Sequence, residues 1–315
     1  MREKETPKLS PMVVSTDERI EIAIPTRGRT INLVCLLQSL RTQTFQRFDV
    51  TILDDNPDDA VLGNFTLDAM VKLLETEGHR CRIIKGESKG VVFAHNALLH
   101  ATQKRLIARI DDDTLPESTD YLELLMSVFH EDETGAVAAV GGPIPHFLGG
   151  RREQYMVPEE ETLGAYAPFE APEARYLQPV SATPKRVTSL YSSFICKRDY
   201  LLAAGGYALS YSTIAEKEET DMLLRVAVLG GRLIFHPHAV LWHLRAPMGG
   251  IRHVTPHQSA AMFEADYRNF VARAQRLREG AFDWVSEREE NFAPFEKYRI
   301  IKDTERGYIV PLNSV

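Results

Sequence analysis

A run of three aspartates at 111–113 is the part of this sequence whose residue types best suit metal and phosphate chemistry. It directly follows a strongly apolar segment, and three adjacent carboxylates repel one another unless solvent or a cation relieves the repulsion. If the backbone stays extended there, Asp111 and Asp113 point to the same side. Such a pair suits Mg²⁺ or Mn²⁺ that also binds substrate phosphates. A solvated turn before Pro116 is the alternative explanation.

Two further polar clusters follow apolar segments earlier in the chain. Pro25 and Thr26 come directly after the first of these segments. Asp54 and Asp55 end the second. Aspartate is also favoured in turns for local reasons, so this second pair alone does not decide between a binding role and a turn.

Gly90 marks a possible anion site at the start of a predicted helix, with Lys89 beside it. Backbone N–H groups and the positive end of a helix attract anions. Glycines before helices are common, so this pattern by itself is weak.

The segment 216–221 contains four acidic residues at the beginning of another predicted helix. Acidic residues in a first helical turn are the ordinary response to the helix dipole. A carboxylate held over a reaction centre instead acts as a general base when a substrate lies within hydrogen-bond reach. The pattern is compatible with both interpretations.

Three histidines, His236, His238 and His243, surround a predicted pair of strands. No cysteine is near them, which disfavours a closed tetrahedral zinc site. A single histidine that completes a site of carboxylates and phosphates is more plausible, and His243 is the candidate. A half-buried structural histidine explains His243 equally well.

These clusters are positioned by strands that alternate with helices over the first 140 residues. Apolar or alternating segments near 20–24, 48–53, 81–84, 106–110 and 136–140 are predicted strands, and helical periodicity fills the intervals between most of them. This alternation predicts an α/β domain with a largely parallel sheet. Because ligands bind beyond the carboxyl ends of such strands, the polar clusters are expected to converge on one crevice.

The remaining segments differ in composition and in the regularity of their apolar pattern. Residues 1–18 are polar and predict a flexible tail, whereas 141–186 is proline-rich and irregular, as lids and binding loops often are. Regular structure resumes near 187, and an amphipathic helix follows later. The expected division is a tail (1–18), a main domain (19–245, made of 19–140, the irregular segment 141–186 and 187–245) and a C-terminal helical extension (246–315).

Composition excludes several classes of function. Of the 315 residues, 37 are basic and 44 acidic, and the net charge of −7 disfavours a broad nucleic-acid surface. No apolar run approaches the roughly 18 residues of a membrane-spanning helix. The N-terminal segment has no apolar core of a secretion signal. Three widely spaced cysteines predict a reduced, cytoplasmic protein without disulfides.

Taken in order, the motifs resemble those of family 2 glycosyltransferases, from about residue 20 to residue 243. The resemblance implies a GT-A fold, a mainly parallel sheet flanked by helices with an acceptor-side subdomain. The residues that carry it are Pro25, Thr26, Arg29, Asp54, Asp55, Gly90, Ala94, Asn96, Asp111, Asp112, Asp113, Cys196, Lys197, Arg198, Gly205, Gly206, Tyr207, Glu218, Glu219, Thr220, Asp221, Met222, Trp242 and His243.

The resemblance also implies roles for these residues. Those expected to bind the donor, a nucleotide-sugar, are Pro25, Thr26, Arg29, Asp54, Asp55, Gly90, Asn96, Asp111 and Asp112. Asp113 and His243 are expected to hold a divalent metal, Mn²⁺ or Mg²⁺. Glu219 is the expected catalytic base, with Glu218 and Asp221 as alternatives, because glutamate here replaces the commoner aspartate.

The implied reaction is an in-line displacement with inversion at the anomeric carbon, assisted by the metal. The acceptor is expected to be a sugar, a glycan or another small molecule. A weakly basic and apolar stretch at 244–253 leaves peripheral membrane contact open. The alternatives are a nucleotidyltransferase and a non-catalytic nucleotide- or carbohydrate-binding protein of the same fold.

Overall fold

The computed structural model describes residues 6–57, 64–145, 183–244, 249–250, 256–296, 298–303 and 306–311. These residues form eight helices and twelve strands. The helices are α1 (Thr30–Arg41), α2 (Phe65–Thr76), α3 (Val91–Ala101), α4 (Tyr121–His130), α5 (Arg198–Ala203), α6 (Glu218–Val228), α7 (Pro256–Arg278) and α8 (Trp284–Glu296). The strands are β1 (Ile20–Thr26), β2 (Phe48–Asp54), β3 (Cys81–Lys85), β4 (Leu106–Arg109), β5 (Thr114–Pro116), β6 (Val137–Gly141), β7 (Lys185–Val187), β8 (Phe194–Lys197), β9 (Arg232–Phe235), β10 (Leu241–His243), β11 (Tyr298–Asp303) and β12 (Arg306–Pro311).

One large sheet organises the protein, with the strand order β11-β12-β3-β2-β1-β4-β8-β6-β9-β7. Strands β3, β2, β1 and β4 are parallel neighbours, and β8 is antiparallel to both β4 and β6. Ile20, Ile22 and Ile24 of the central strand β1 are completely buried. Polar residues of the same strands are buried as well, since Glu21 is 4% exposed and Thr51 of β2 is completely buried, so both faces of the sheet are covered. The predicted α/β class with a mainly parallel sheet is confirmed.

The register of the parallel strands brings the predicted polar clusters to one edge of the sheet. Thr26 at the end of β1 lies opposite Asp54 at the end of β2. On the other side of β1, Ala23 lies opposite Arg109 at the end of β4, and Ile110 donates its N–H to the Ala23 carbonyl at 3.2 Å. The aspartates at 111–113 therefore leave β4 beside the turn that follows β1.

A small second sheet brings a distant segment to this edge. Strands β5 and β10 pair antiparallel, with His243 opposite Thr114. The Leu244 N–H donates to the Asp113 carbonyl at 2.8 Å, which extends the pairing past the strand end. Residues about 130 positions apart in sequence are thereby held next to each other.

The C-terminal segment packs two helices, α7 and α8, against the main domain. Phe270 of α7 is completely buried, and Phe292 and Phe295 of α8 join the cluster under α3. The segment 246–315, expected to be helical, contains two strands in addition to these helices. Strands β11 and β12 form an antiparallel pair, and β12 extends the sheet beside β3 in parallel.

Part of the expected N-terminal tail lies against the main domain. Val14 is buried in the core, and the Met12 N–H donates to the Gly135 carbonyl at 3.3 Å. Most of the expected irregular lid, residues 146–182, lies outside the described residues. Within the part of the chain that the structure describes, we find no helix long and apolar enough to cross a membrane.

Candidate active site

A cavity of about 300 Å³ opens at the carboxyl ends of β1, β2 and β4. Ten of the fourteen residues predicted for the site line it: Pro25, Thr26, Arg29, Asp55, Asp111, Asp112, Asp113, Glu218, Glu219 and His243. The other four, Asp54, Gly90, Asn96 and Asp221, do not line it. Several carboxylates and cations that are far apart in sequence therefore share one space.

Asp112 ties the strand ends together. Its two oxygens accept hydrogen bonds from the Thr26 hydroxyl at 2.7 Å and from Arg29 Nη1 at 3.0 Å. Burial raises the pKa of Asp112 to about 6, although Arg29 and Thr26 both act to lower it. Protein donors bind both oxygens of Asp112. Asp112 is therefore better placed to hold Thr26 and Arg29 than to contact a ligand.

Asp113 and His243, the two predicted metal ligands, lie next to each other. His243 Nε2 lies 3.4 Å from Asp113 Oδ2, and Arg29 Nη1 lies 3.1 Å from the same oxygen. Asp113 is almost completely buried, whereas Asp111 is half-buried and accepts a hydrogen bond from the Ser192 hydroxyl at 2.6 Å. Two possible metal ligands, Asp113 and His243, thus line the cavity together with the Arg29 guanidinium.

These donors fit a divalent metal that takes most of its ligands from a substrate. In the described ranges, no group of three or more histidine, cysteine or acidic side chains could hold a metal ion. Mg²⁺ is commonly held by one or two protein carboxylates, with substrate phosphates and water as the other ligands. Asp113 with His243 matches this partial set. Arg29 competes for the shared Asp113 oxygen and would have to share or leave it.

The sequence left Asp54 and Asp55 as alternatives, and their surroundings differ. Asp54 is completely buried, and its oxygens accept from the Asn56 amide at 2.5 Å and lie 3.5 Å from Lys85 Nζ. Asp55 lines the cavity. Its Oδ2 accepts from the Gly90 N–H at 3.2 Å, while its buried Oδ1 has no hydrogen-bond partner among the described residues. That oxygen lies beside Gly86 and is closed off from solvent, so it is Oδ2 of Asp55 that faces Gly90 and Arg27.

Gly90 and Asn96, both predicted donor-binding residues, act indirectly. Gly90 has a φ of +97°, a conformation that glycine adopts without strain, and this directs its N–H to Asp55. The completely buried side chain of Asn96 donates to the Tyr207 carbonyl at 2.7 Å and accepts from the Tyr207 N–H at 2.8 Å. Asn96 therefore joins α3 to the segment after α5, outside the cavity.

The three candidate bases on α6 have different partners. Glu218 forms two hydrogen bonds with Arg109, at 2.9 and 2.6 Å, in a buried pair. Asp221 pairs with Arg225 at 2.8 Å and with Arg273 at 2.9 Å, and is completely buried away from the cavity. Glu219 lines the cavity, and its carboxylate has no hydrogen bond or ion pair to another described residue.

Burial controls the ionisation of the two cavity glutamates. It raises the pKa of Glu218, and the Arg109 guanidinium opposes that rise. It also raises the pKa of Glu219, where Arg109 is again the main opposing charge. A carboxylate with a raised pKa that no other described residue binds is suited to accept a proton from a ligand.

Sequence reasoning missed Arg109 and Ser192, which also line the cavity. Arg109 had a signal, since it is a cation inside an otherwise apolar strand and such a charge must find a partner. Ser192 had none, because its role follows from contact with Asp111, 81 residues away. Arg27 lies 3.8 Å from Asp55 and adds positive charge to the mouth of the cavity.

Comparisons with known proteins agree with this architecture. Residues 21–186, just over half of the chain, match the family model described as glycosyl transferase family 2. No curated protein sequence matches the chain. Among solved structures, S. aureus TarS is 14% identical over 73% of this chain, with a TM-score of 0.53. The chain spans only 37% of that TarS chain.

Two further structures resemble the chain. TarS residues 1–349 in complex with UDP-GlcNAc give a TM-score of 0.60 at 13% identity, covering 89% of this chain and 72% of that one. A mannosyltransferase from Pyrobaculum calidifontis, in complex with GDP-Man and Mn²⁺, is 15% identical over 88% of this chain and 75% of its own, with a TM-score of 0.48. At such identities the likeness to TarS shows the fold alone. With the family match and the strand-end site, this chain belongs to glycosyl transferase family 2.

Proposed function

We propose that this protein transfers a sugar from a nucleotide-diphosphate sugar to an acceptor hydroxyl, with inversion at the anomeric carbon. The observation that carries the proposal is one cavity that joins Asp113 and His243 to Glu219, a carboxylate with no hydrogen bond or ion pair to another described residue. A leaving-group site and a proton acceptor are the two parts that an in-line displacement needs.

The donor nucleotide is proposed to lie over the ends of β1 and β2. Asp55 lines the cavity there, and its carboxylate is proposed to accept a hydrogen bond from a ring N–H of the nucleobase. Arg27 and Arg29 provide positive charge for the diphosphate on the same side of the cavity. The complexes of UDP-GlcNAc with TarS and of GDP-Man with the mannosyltransferase are consistent with a nucleotide-sugar as the ligand class.

Asp113 and His243 are proposed to hold a divalent metal, Mn²⁺ or Mg²⁺, together with the diphosphate. When bound, such a metal neutralises the negative charge that develops on the departing diphosphate. Arg29, 3.1 Å from Asp113, supplies fixed positive charge to the same region. Asp112 keeps this guanidinium in place through its own hydrogen bond.

Glu219 is proposed to act as the general base. Its carboxylate takes the proton of the acceptor hydroxyl while that oxygen forms a bond to the anomeric carbon. The bond from the anomeric carbon to the diphosphate oxygen breaks in the same step, and the nucleoside diphosphate leaves with the electron pair. Arg109 holds neighbouring Glu218 in a buried pair, which fixes the first turn of α6 from which Glu219 projects.

The acceptor is proposed to be a sugar, a glycan or a small molecule that presents a hydroxyl. A second face of the cavity, formed by Ile214 and Ala215 next to Glu216, is where we place it. The cytoplasmic location and the membrane-peripheral alternative stay predictions from the sequence.

Nucleotide binding is the first test. The melting temperature is measured with UDP-, GDP- and dTDP-sugars, with and without Mn²⁺ or Mg²⁺, because ligands that bind the folded state raise it. We expect a metal-dependent rise with one nucleotide that Asp113→Asn abolishes. Asp49→Asn, a buried aspartate at the start of β2, is the matched control and should retain the rise. No rise with any donor would contradict the nucleotide site.

The products distinguish the reaction classes. Transfer of the sugar releases a nucleoside diphosphate, whereas a nucleotidyltransferase acting on a sugar phosphate and a nucleoside triphosphate releases pyrophosphate. We expect Glu219→Gln to lower kcat by about 10²- to 10⁴-fold, the usual contribution of a general base. The nucleotide-induced rise in melting temperature should persist in this variant. A Glu219→Gln enzyme with wild-type kcat would remove the assignment of the base.

A further inference from the structure

The loop 212–217 forms one wall of the cavity and leads directly into the first turn of α6. Ile214, Ala215 and Glu216 of this loop line the cavity. Glu219 follows within two residues of the loop's end. The conformation of this loop therefore sets where the proposed base stands.

The loop has a backbone conformation that its residues do not favour by themselves. Ala215 has a φ of +57° and Lys217 a φ of +70°, and neither is a glycine. Left-handed conformations are disfavoured for residues with a Cβ, so they persist only where surrounding contacts impose them. Some part of the protein must therefore hold this loop.

Asp266 of α7 supplies those contacts. Its carboxylate is only 2% exposed and accepts three hydrogen bonds from the loop. Oδ1 accepts from the Ser212 N–H at 2.7 Å, and Oδ2 accepts from the Ser212 hydroxyl at 2.7 Å and from the Glu216 N–H at 2.9 Å. One carboxylate thus joins the two ends of the segment that lines the cavity.

Helix α7 is itself tied to α6, so Asp266 is a fixed anchor. Arg273 lies two helical turns after Asp266 on the same face of α7. It donates to Asp221 of α6 at 2.9 and 3.2 Å, and Phe270 between them is completely buried. The two ends of the catalytic segment, the loop and the helix, are both held by α7.

We propose that Asp266 is a positioning residue of the transfer reaction. It imposes the strained conformation of loop 212–217. It thereby holds Glu219, and the face of the cavity where we place the acceptor, in the positions that the reaction needs. The C-terminal extension is on this view a working part of the active site. This inference rests on the proposed function, because positioning matters only if Glu219 acts on an acceptor.

The test compares two matched substitutions of buried aspartates. Asp266→Asn keeps the size of the side chain but leaves one acceptor oxygen for three donors. Asp49→Asn is the control, since Asp49 is also buried and bound by Arg19 at 2.8 Å, Lys104 at 2.9 Å and the Arg80 N–H at 3.1 Å. It lies at the amino end of β2, at the far end of the strand from the cavity.

We expect Asp266→Asn to lower kcat by about 10-fold or more, because small displacements of reacting groups have effects of this size. The KM for the donor should stay within about twofold of the wild-type value, since the residues proposed to bind the donor lie on other elements. Asp49→Asn should lower the melting temperature without this loss of kcat. Equal kcat values for the two variants, or a parallel rise in donor KM for Asp266→Asn, would overturn the inference.

Hydrogen exchange of the peptide 209–217 gives a readout that does not need activity. Exchange at Ser212 and Glu216 should be faster in Asp266→Asn and unchanged in Asp49→Asn, and unchanged exchange in both would overturn the anchoring role. If the wild type transfers no sugar while exchange changes as expected, the proposed function fails and the anchoring role stands.

If Asp266→Asn does not fold, Ser212→Ala, which removes one of the three donors, should lower kcat by about threefold, and wild-type kcat would overturn the inference.

Discussion

Neighbouring carboxylates that look equivalent in the sequence have different environments in the folded protein. Asp54 is completely buried and bound by protein donors, whereas Asp55 lines the cavity with one oxygen that no described residue satisfies. Glu218 is likewise occupied by Arg109, whereas Glu219 faces the cavity without a described partner. At the scale of the residue, contact with protein donors separates the carboxylates that support the structure from those that we propose to act on ligands.

Substitution of the two strand-end aspartates should separate their roles. Asp55→Asn should weaken nucleotide binding by about 10- to 100-fold, because a hydrogen bond to a charged group contributes about 1.5–3 kcal/mol. Asp54→Asn should lower the melting temperature and leave the Kd for the nucleotide nearly unchanged. Isothermal titration calorimetry measures both affinities. Weaker binding by Asp54→Asn than by Asp55→Asn would contradict the assignment of Asp55.

The raised pKa of Glu219 predicts how the reaction depends on pH. A general base works only when deprotonated, so kcat should fall as the pH decreases through a pKa above the ordinary 4.5 of glutamate. The residual rate of Glu219→Gln should lack this acidic limb. Steady-state rates at saturating substrates across the acidic range provide the measurement. A limb that persists in Glu219→Gln belongs to another group.

At the scale of the element, the beginning of α6 is fixed by charges from three directions. Arg109 of β4 holds Glu218, whereas Arg225 of α6 and Arg273 of α7 hold Asp221. These side chains are all buried, so each charge depends on its partners. The same helix therefore needs contacts from the strand and from the C-terminal helix to present Glu219.

Removing the charge of Asp221 should destabilise the protein. Burial acts to raise the pKa of Asp221, but Arg225 and Arg273 outweigh it and lower that pKa below its ordinary 3.8. The stabilisation is therefore fully present above pH 3.8 and is lost as the pH falls below it. Asp221→Asn should lower the free energy of unfolding at pH 7 by about 3–5 kcal/mol, as broken buried ion pairs do.

Urea denaturation at pH 7 measures this free energy. Asp17, an exposed aspartate near the N-terminus, offers the control, and Asp17→Asn should change stability by less than about 0.5 kcal/mol. If both substitutions had the same small effect, the network around α6 would contribute little to stability.

At the scale of the whole molecule, the C-terminal helices complete the main domain. Leu224 of α6 packs with Leu277 and Trp284, and Phe292 packs in the cluster that also contains residues of α3. Without α7 and α8, Leu224 would lose the side chains that cover it, and Asp221 would lose its ion pair with Arg273. We therefore expect the extension and the sheet to unfold as one cooperative structure.

Truncation tests that cooperativity. A chain ending at residue 244 should show no cooperative thermal transition, because it loses α7 and α8 together with their buried contacts. A chain ending at residue 296 loses only the β11–β12 pair at one edge of the sheet, and should keep a cooperative transition at a lower temperature. Circular dichroism during heating distinguishes them. A cooperative transition in the shorter chain would show that the main domain folds independently.

The sequence by itself determined the α/β class and most of the cavity's residues. The class and the strand-end residues follow from local patterns, since apolar periodicity defines strands and helices, and polar residues after parallel strands converge at one edge. Glu219 was predicted only from the resemblance to family 2 glycosyltransferases. The burial of Asn96, the preference for Asp55 over Asp54 and the role proposed for Asp266 required the tertiary structure. These depend on contacts between residues up to about 110 positions apart, which no local spacing encodes. Asp266 is a charged residue on an amphipathic helix, and such residues usually face solvent. Only the packing of α7 against the loop shows that it faces inward.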